Sequence, residues 1–401
     1  MSSDQPPARP AKITAEFFKS LSFDEVAIDV DEIEQYVISK LCEALAQLTA
    51  TLSDHPNDPH LFYKRGVVHS ALGNRNAALQ NFSQAIELDP TYSQAYCSRG
   101  MERLTMEDAA GAIADFTSAL NLEPAGESSY IINAYVNRGT LYARSGQLEA
   151  ALRDFSQAIQ AKPDFAPAYY NRANALYLMR YYPQAIEDYS RAIAINGSYA
   201  TAYCNRAVVL AATGNRSAAF VDYERAIEFD PDYAQAYFNR GNNYASVGEF
   251  EQALADYAQS LSLQPDYLDA YRNRARVWQK LDNLPSALAD YGAAIALNPE
   301  IVDLYSSRAM VHYELGNLLA AIADLTEVIQ RAPNVDTYNN RGVMRAASGD
   351  KQGAVEDYTA ALQLNPNCAD AYRNRGNAKE ALGDQAGAAT DWEQAAALDV
   401  A

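Results

Sequence analysis

Apolar residues recur along most of the chain at the three- and four-residue spacing of an amphipathic helix, and the pattern restarts about every 34 residues. Aligning the segment A-Y-x-N-R-G gives ten copies, beginning at Pro59, Ser93, Ile132, Ala166, Ala200, Ala234, Leu268, Val302, Val335 and Ala369. Counting positions from these starts, position 8 is Gly or Ala and position 20 is Ala in every copy. Such small residues let two helices approach closely. Position 4 is aromatic in all ten and position 24 in nine, with Leu325 the exception. These rings are predicted to fill the space between one helix pair and the next. Pro stands at position 32 in eight copies, where it stops a helix, and Gly197 and Val400 replace it in the other two. Each copy is therefore predicted as helix, turn, helix. One such pair cannot bury its apolar faces alone, so neighbours must stack. The period is broken twice, by five extra residues (127–131) before the third copy and one missing residue before the ninth. Both changes are expected to be absorbed in the turns between copies.

This pattern resembles the tetratricopeptide-repeat (TPR) family over about five-sixths of the chain, in a form similar to its bacterial, including cyanobacterial, members. The resemblance implies an all-α, right-handed superhelical solenoid of ten helix-turn-helix repeats over residues 59–401. In that family the first helices line a concave groove that binds peptide segments of partner proteins. Ala44, Leu48 and Pro56 sit one period ahead of Ala78, Phe82 and Pro90. Residues 23–58 are therefore expected to form a degenerate N-terminal capping repeat, with Leu41 to Leu52 as its second helix and the acidic stretch near Val30 to Lys40 before it. Residues 1–22 are expected to be a disordered extension. At the other end, Trp392, Ala396 and Leu398 are expected on an exposed apolar face of the tenth repeat, which could meet a partner or a second copy of the chain.

Composition narrows the partners. With 32 Lys and Arg against 51 Asp and Glu, the formal charge is −19, which disfavours nucleic acid and anionic lipid. Cys42, Cys97, Cys204 and Cys368 are far apart and lack metal-ligand spacing, so no metal is expected and a reducing interior fits best. Cys97 and Cys204 share one repeat position, which fits packing or groove lining. No apolar run suggests a signal peptide or a membrane span, so a cytoplasmic location is expected. There are four histidines, of which His69 and His312 share position 11, a packing position, and no nucleophile-elbow, P-loop or zinc-protease motif is present. Neither catalysis nor a cofactor is expected.

Three sets of residues carry candidate chemistry. Arg occupies position 7 of all ten copies, from Arg65 to Arg375, and Asp stands at position 23 in nine, with Asn81 in the first. A structural ladder of ion pairs is the favoured reading. Position 6 carries Asn137, Asn171, Asn205, Asn239, Asn273, Asn340 and Asn374. The resemblance places position 6 in the groove, where an amide that donates and accepts can grip a peptide backbone. A similar asparagine row lines the superhelix of the O-linked N-acetylglucosamine transferases. The competing reading is a bond to a neighbouring helix.

Positions 5 and 9 complete the predicted groove. In the first six copies they are mostly apolar or neutral, including Tyr63, Val67, Cys97, Met101, Val136, Tyr170, Asn174, Cys204, Val208, Phe238 and Asn242. In the seventh they become Arg272 and Arg276, with Lys280 one turn later on the same stripe, and Arg373 follows in the tenth. The stripe suits an acidic segment unless Asp269 and Asp303 neutralise it. No three successive copies carry the two-carboxylate clamp with which some family members hold chaperone C-termini. The expected function is that of a scaffold or adaptor that binds extended or helical segments of client proteins in complex assembly. The alternatives are a self-associating structural subunit joined through its C-terminal repeat and a regulatory subunit of a separate enzyme.

Overall fold

The computed structural model describes residues 30–399 apart from Ala125, with side chains from Gln35 onward. The expected extension over residues 1–22 lies outside the described residues. In chain order the helices are α1 (Val30–Asp54), α2 (Pro59–Ala71), α3 (Arg75–Leu88), α4 (Ser93–Thr105), α5 (Ala109–Leu122), α6 (Ser129–Arg144), α7 (Leu148–Ala161), α8 (Ala166–Leu178), α9 (Tyr182–Ile195) and α10 (Ala200–Ala212). They continue as α11 (Arg216–Phe229), α12 (Ala234–Val247), α13 (Phe250–Leu263), α14 (Leu268–Lys280), α15 (Leu284–Leu297), α16 (Val302–Glu314), α17 (Leu318–Arg331), α18 (Val335–Ala347), α19 (Lys351–Leu364), α20 (Ala369–Ala381) and α21 (Gln385–Asp399). From α2 to α9 and from α12 to α21 they pair as predicted, an even-numbered first helix with the odd-numbered helix that follows it. No strand occurs among the described residues.

The chain divides into two units, residues 1–209 and 210–401. Inside each, the two helices of a repeat pack on one another and the second packs on the first helix of the next repeat. First helices of successive repeats also touch, as α4 does α6 and α12 does α14, whereas successive second helices make no comparable contact. The first helices thus lie on the inner side of each unit's stack.

Two boundaries differ from expectation. Of the expected capping segment, residues 30–54 form one continuous helix of 25 residues rather than a helix pair, and residues 23–29 lie outside the described residues. No Gly or Pro interrupts residues 30–54, so nothing stops the helix before the turn at Pro56. It packs on α2, with Leu52 buried. The five-residue insertion is not confined to a turn either. Three of its residues extend α6 to 16 residues, because Ile131 and Ile132 bury completely against the second and third repeats.

Close approach explains the small residues. A Cβ built on Gly342 would lie 2.6 Å from the ring of Tyr358, and one on Gly376 would meet Trp392 at 2.6 Å. The sequence reading missed position 15, which turns the chain between the paired helices with positive φ. It is glycine in seven repeats, as Gly73 (φ 75°), and Glu107, Arg180 and Asp282 adopt φ 63°, 63° and 57° in the others.

The ladder is present and has more rungs than two charges. In the third repeat Arg138 donates Nη2 to Asp154 Oδ1 at 2.7 Å and Nε to Oδ2 at 2.8 Å. Seven further pairs, such as Arg99–Asp115, Arg341–Asp357 and Arg375–Asp391, share this geometry, and Arg65 donates to Asn81 in the first repeat. Each guanidinium also lies over the position 4 ring three residues earlier, as Arg375 over Tyr372 at 5.5 Å. Several reach back one repeat to a hydroxyl, as Arg138 to Thr117 at 3.0 Å and Arg341 to Thr326 at 3.0 Å.

The sixth repeat places two unpartnered polar groups in its core. Asn243 replaces an otherwise mostly aliphatic position 10, and Ser260 replaces an alanine found at position 27 of eight other repeats. Both are buried, and neither Asn243 Nδ2 nor Ser260 Oγ has a hydrogen-bond partner. Asn243→Val and Ser260→Ala are each expected to raise the midpoint of urea unfolding, by about 1 kcal/mol of stability, since an unmade buried hydrogen bond is removed. A lowered midpoint for both would show that these groups are satisfied in solution.

Asp391 gives the ladder a pH signature. Burial pushes its pKa up, but hydrogen bonds and charge from Arg375 and Lys379 more than reverse this, so it titrates below its ordinary 3.8. A carboxyl whose pKa falls on folding adds stability that is present above 3.8 and lost as pH drops through the folded value. Asp391→Asn should therefore be less stable than the parent at neutral pH. The two should converge on acidification below about pH 3 in urea titrations followed by circular dichroism.

Candidate functional site

The inner faces are built from positions 2, 5, 6 and 9 of the first helices. The asparagines of position 6 lie on them, and most of their amide nitrogens are already engaged. Asn205 donates Nδ2 to both Tyr170 Oη and Asn174 Oδ1 of the preceding repeat at 3.0 Å. Asn273 donates to Asn242 Oδ1 at 2.8 Å, and Asn374 to Asn339 Oδ1 at 3.0 Å. Asn137 reaches Met101 Sδ at 3.0 Å, and Asn171 turns back to the carbonyl of Pro167 at 2.9 Å. Asn239 is half-buried and is also engaged, whereas Asn340 is exposed. The row therefore ties successive first helices together.

A second bond completes this arrangement. Tyr189 donates its hydroxyl to Asn174 Oδ1 at 2.5 Å, and Tyr257 donates to Asn242 Oδ1 at 2.7 Å. One amide oxygen thus receives the ring hydroxyl of its own repeat and the amide of the next. Trp392 Nε1 makes the equivalent bond to Asn377 at 3.1 Å. The pairing is visible within the sequence. Tyr or Trp at position 24 faces Asn at position 9 in repeats four, six and ten. Phe82, Phe116 and Leu325, which have no hydroxyl, accompany Val67, Met101 and Met310. Phe155 accompanies Thr140, whose hydroxyl is spent on its own helix at Val136. Tyr223 opposite Val208 and Tyr358 opposite Val343 depart from this pairing, and in the seventh repeat Tyr291 stands opposite Arg276.

The lining residues separate by exposure. Cys97, Cys204 and Val136 are buried at position 5, and of the three Cys97 still lines the cavity beside Met101. Tyr170 and Phe238 are half-buried in ring clusters, Tyr170 at 5.1 Å from Tyr199 and Phe238 at 4.7 Å from Tyr267. What stands out from the faces is apolar and sits at position 9, where Val67, Met101 and Met310 are 42%, 41% and 41% exposed. Met101 lies in a cavity of about 360 Å³ lined also by Ser98, Tyr130, Asn133 and Asn137. Tyr130 and Asn133 escaped the sequence reading, although the insertion before the third repeat was the signal that could have found them.

The basic residues divide. Arg373 is neutralised by Asp370 at 2.6 Å and Asp399 at 2.9 Å. Arg272 pairs with Asp269 at 2.6 Å. Arg276 and Lys280 are exposed, and neither forms an ion pair among the described residues. Asp303 pairs with none of the three. At the end of the chain, Trp392 and Leu398 are half-buried and only Ala396 is exposed, since the indole packs over Gly376. Burial and the nearby charge of Arg65 push the pKa of His69 down, and the Nδ1 atoms of His69 and His312 are both buried without a partner. No group of three or more His, Cys, Asp or Glu able to hold a metal occurs among the described residues, and no described helix is long and apolar enough to cross a membrane.

The tyrosine–asparagine relay has a measurable energy. Asn242→Val strands the hydroxyl of Tyr257 and the amide of Asn273, at an expected cost of about 1–3 kcal/mol. Adding Tyr257→Phe removes one stranded donor, so the double variant should be more stable than Asn242→Val alone, with a coupling of about 1 kcal/mol in a urea double-mutant cycle. Strict additivity would mean that the relay contributes nothing.

Comparison with known proteins places these features in a family. Models described as TPR repeat or tetratricopeptide repeat match residues 59–92, 132–179, 181–214, 210–248, 234–267, 279–336 and 342–383, well over half of the chain. No curated protein matches the sequence. Among solved structures, the C-terminal part of a TPR repeat-containing protein from Cytophaga hutchinsonii is 16% identical, with 59% of this chain and 97% of that one covered and a TM-score of 0.52. Yeast Tom70 is 15% identical over 92% of this chain and 91% of its own, with a TM-score of 0.41. The protein MamA is 25% identical over 41% of this chain and 94% of its own, with a TM-score of 0.38. The first of these supports the fold. The repeat matches, with the paired helices and their phased positions, establish that this chain belongs to the tetratricopeptide-repeat family and is built as a protein-interaction scaffold.

Proposed function

We propose that the protein holds extended or helical segments of client proteins on the inner faces of its two units, as a scaffold or adaptor in the assembly of a multiprotein complex. The observation that carries this reading is the row of exposed apolar side chains at position 9, Val67, Met101 and Met310, set among polar amides on faces that are otherwise well satisfied. Met is adaptable in shape, which suits a surface that must accept a partner's apolar side chains. The cavity beside Met101 offers Asn133 and Ser98 at its rim, so a buried client side chain there keeps backbone bonds within reach. The asparagines of position 6 serve this face chiefly by fixing the spacing of its helices, and Asn340 remains open for direct contact.

The test separates the face from the scaffold that supports it. Met101→Glu and Met310→Glu place a charge at exposed positions, and a glutamate at 101 still offers Asn137 an acceptor in place of the thioether. Affinity capture from the source cells, read by mass spectrometry, should retain a set of proteins on the parent that one or both variants lose, with helicity unchanged by circular dichroism. Retention of the same proteins by parent and variants would move the binding surface elsewhere.

A further inference from the structure

The seventh repeat departs from the relay in a way that points to a ligand. At its position 9 stands Arg276 instead of Asn, and at position 6 of the eighth repeat stands Ser307 instead of Asn. Tyr291 donates its hydroxyl to Gln279 Oε1 at 2.8 Å, and Arg276 and Ser307 lie close enough to act on it. Burial pushes the pKa of Tyr291 up, and Ser307, Arg276 and Arg272 draw it part of the way back. Gln279 takes the acceptor role here, and the amide of position 9 has become a cation.

That charge is not offset where it stands. Among the described residues no carboxylate pairs with Arg276 or with Lys280. Arg272, one turn before Arg276, spends Nη2 on Asp269, yet its Nε is buried and has no acceptor. A buried guanidinium N–H without a partner is costly and rare. Three cations therefore line one stripe of α14, one with a stranded donor, in a chain whose formal charge is −19.

We infer that the stripe formed by Arg272, Arg276 and Lys280 is a selective binding site for an acidic client segment, one carboxylate of which lies against the Arg272 and Arg276 guanidinium groups. A planar carboxylate can accept from two neighbouring guanidinium edges at once and would satisfy the stranded Nε. Lys280, one turn further, suits a second acidic residue as a point charge. The overall negative charge repels acidic peptides from the rest of the surface, so selection falls to this stripe. This inference rests on the inner-face reading above and names the chemistry of one stretch of the client.

Fluorescence anisotropy on the full chain would test it with a labelled alanine–glutamate peptide and its alanine–glutamine counterpart. The glutamate peptide is expected to bind at least about tenfold more tightly, and to weaken when salt is raised from about 0.05 M to about 0.5 M. Arg276→Asn restores the position 9 amide of the fourth and sixth repeats at an exposed site, so the fold should hold while affinity for the glutamate peptide falls about five- to tenfold. Lys280→Gln, at an exposed position, should cause a smaller loss, and Met101→Glu in the other unit none. Equal binding of the two peptides, or no binding of the glutamate peptide, overturns the inference. The proposed function would still stand if captured clients are lost from the Met101→Glu or Met310→Glu variants.

Discussion

Most repeats are organised around one arginine. Its guanidinium lies between an aromatic ring three residues before it and, in eight repeats, a carboxylate sixteen residues after it on the partner helix, with the Asn81 amide in that place in the first. Ring and carboxylate together fix both the crossing of the helix pair and the rotation of each helix. Burying such a pair contributes little by itself, because desolvation nearly cancels the attraction, but removing one partner costs about 3–5 kcal/mol. The arrangement therefore specifies geometry more than it adds stability. The bonds from Arg138 to Thr117 and from Arg341 to Thr326 extend that specification to the preceding repeat. Glu224, Ala258 and Gly292 interrupt it, standing where a hydroxyl would receive Arg240, Arg274 and Arg308. In that stretch the stack relies on apolar packing and on the amide relay.

The relay shows how a binding face can be both polar and rigid. A tyrosine hydroxyl buried between helices must find an acceptor. Asn174 and Asn242 provide it and pass the connection to Asn205 and Asn273 of the next repeat. The inner face is thus preorganised before any client arrives, which lowers the ordering cost of binding. Where the ring is Phe, the same position becomes free to carry Val67 or Met101, and these are the side chains left exposed. In repeats one, two and eight a residue without a hydroxyl at position 24 thus goes with an exposed apolar side chain at position 9.

The seventh repeat is the informative departure. Arg276 stands beside the Tyr291 hydroxyl and adds a charge that no described carboxylate offsets. A cation left exposed and unpaired on an inner face reads as a group facing outward to a ligand rather than inward to the fold.

The sequence by itself determined the repeat, its phase and the identity of its core, because a 34-residue period with small residues at positions 8 and 20 admits one way of pairing the helices. It also determined the arginine–aspartate ladder, since two opposite charges recurring at fixed separation on paired helices must meet. Tertiary structure alone decided the roles on the inner face. Asn205 and Asn242 read equally well from sequence as peptide grips or as interhelical ties, because an amide serves both. Only the position of the neighbouring tyrosine and asparagine settled where their hydrogen bonds go. Likewise Cys204, Val136 and Val67 share an apolar character in the sequence. Burial at a repeat junction separates the first two from the third, and that depends on the angle between helices, which no local pattern encodes.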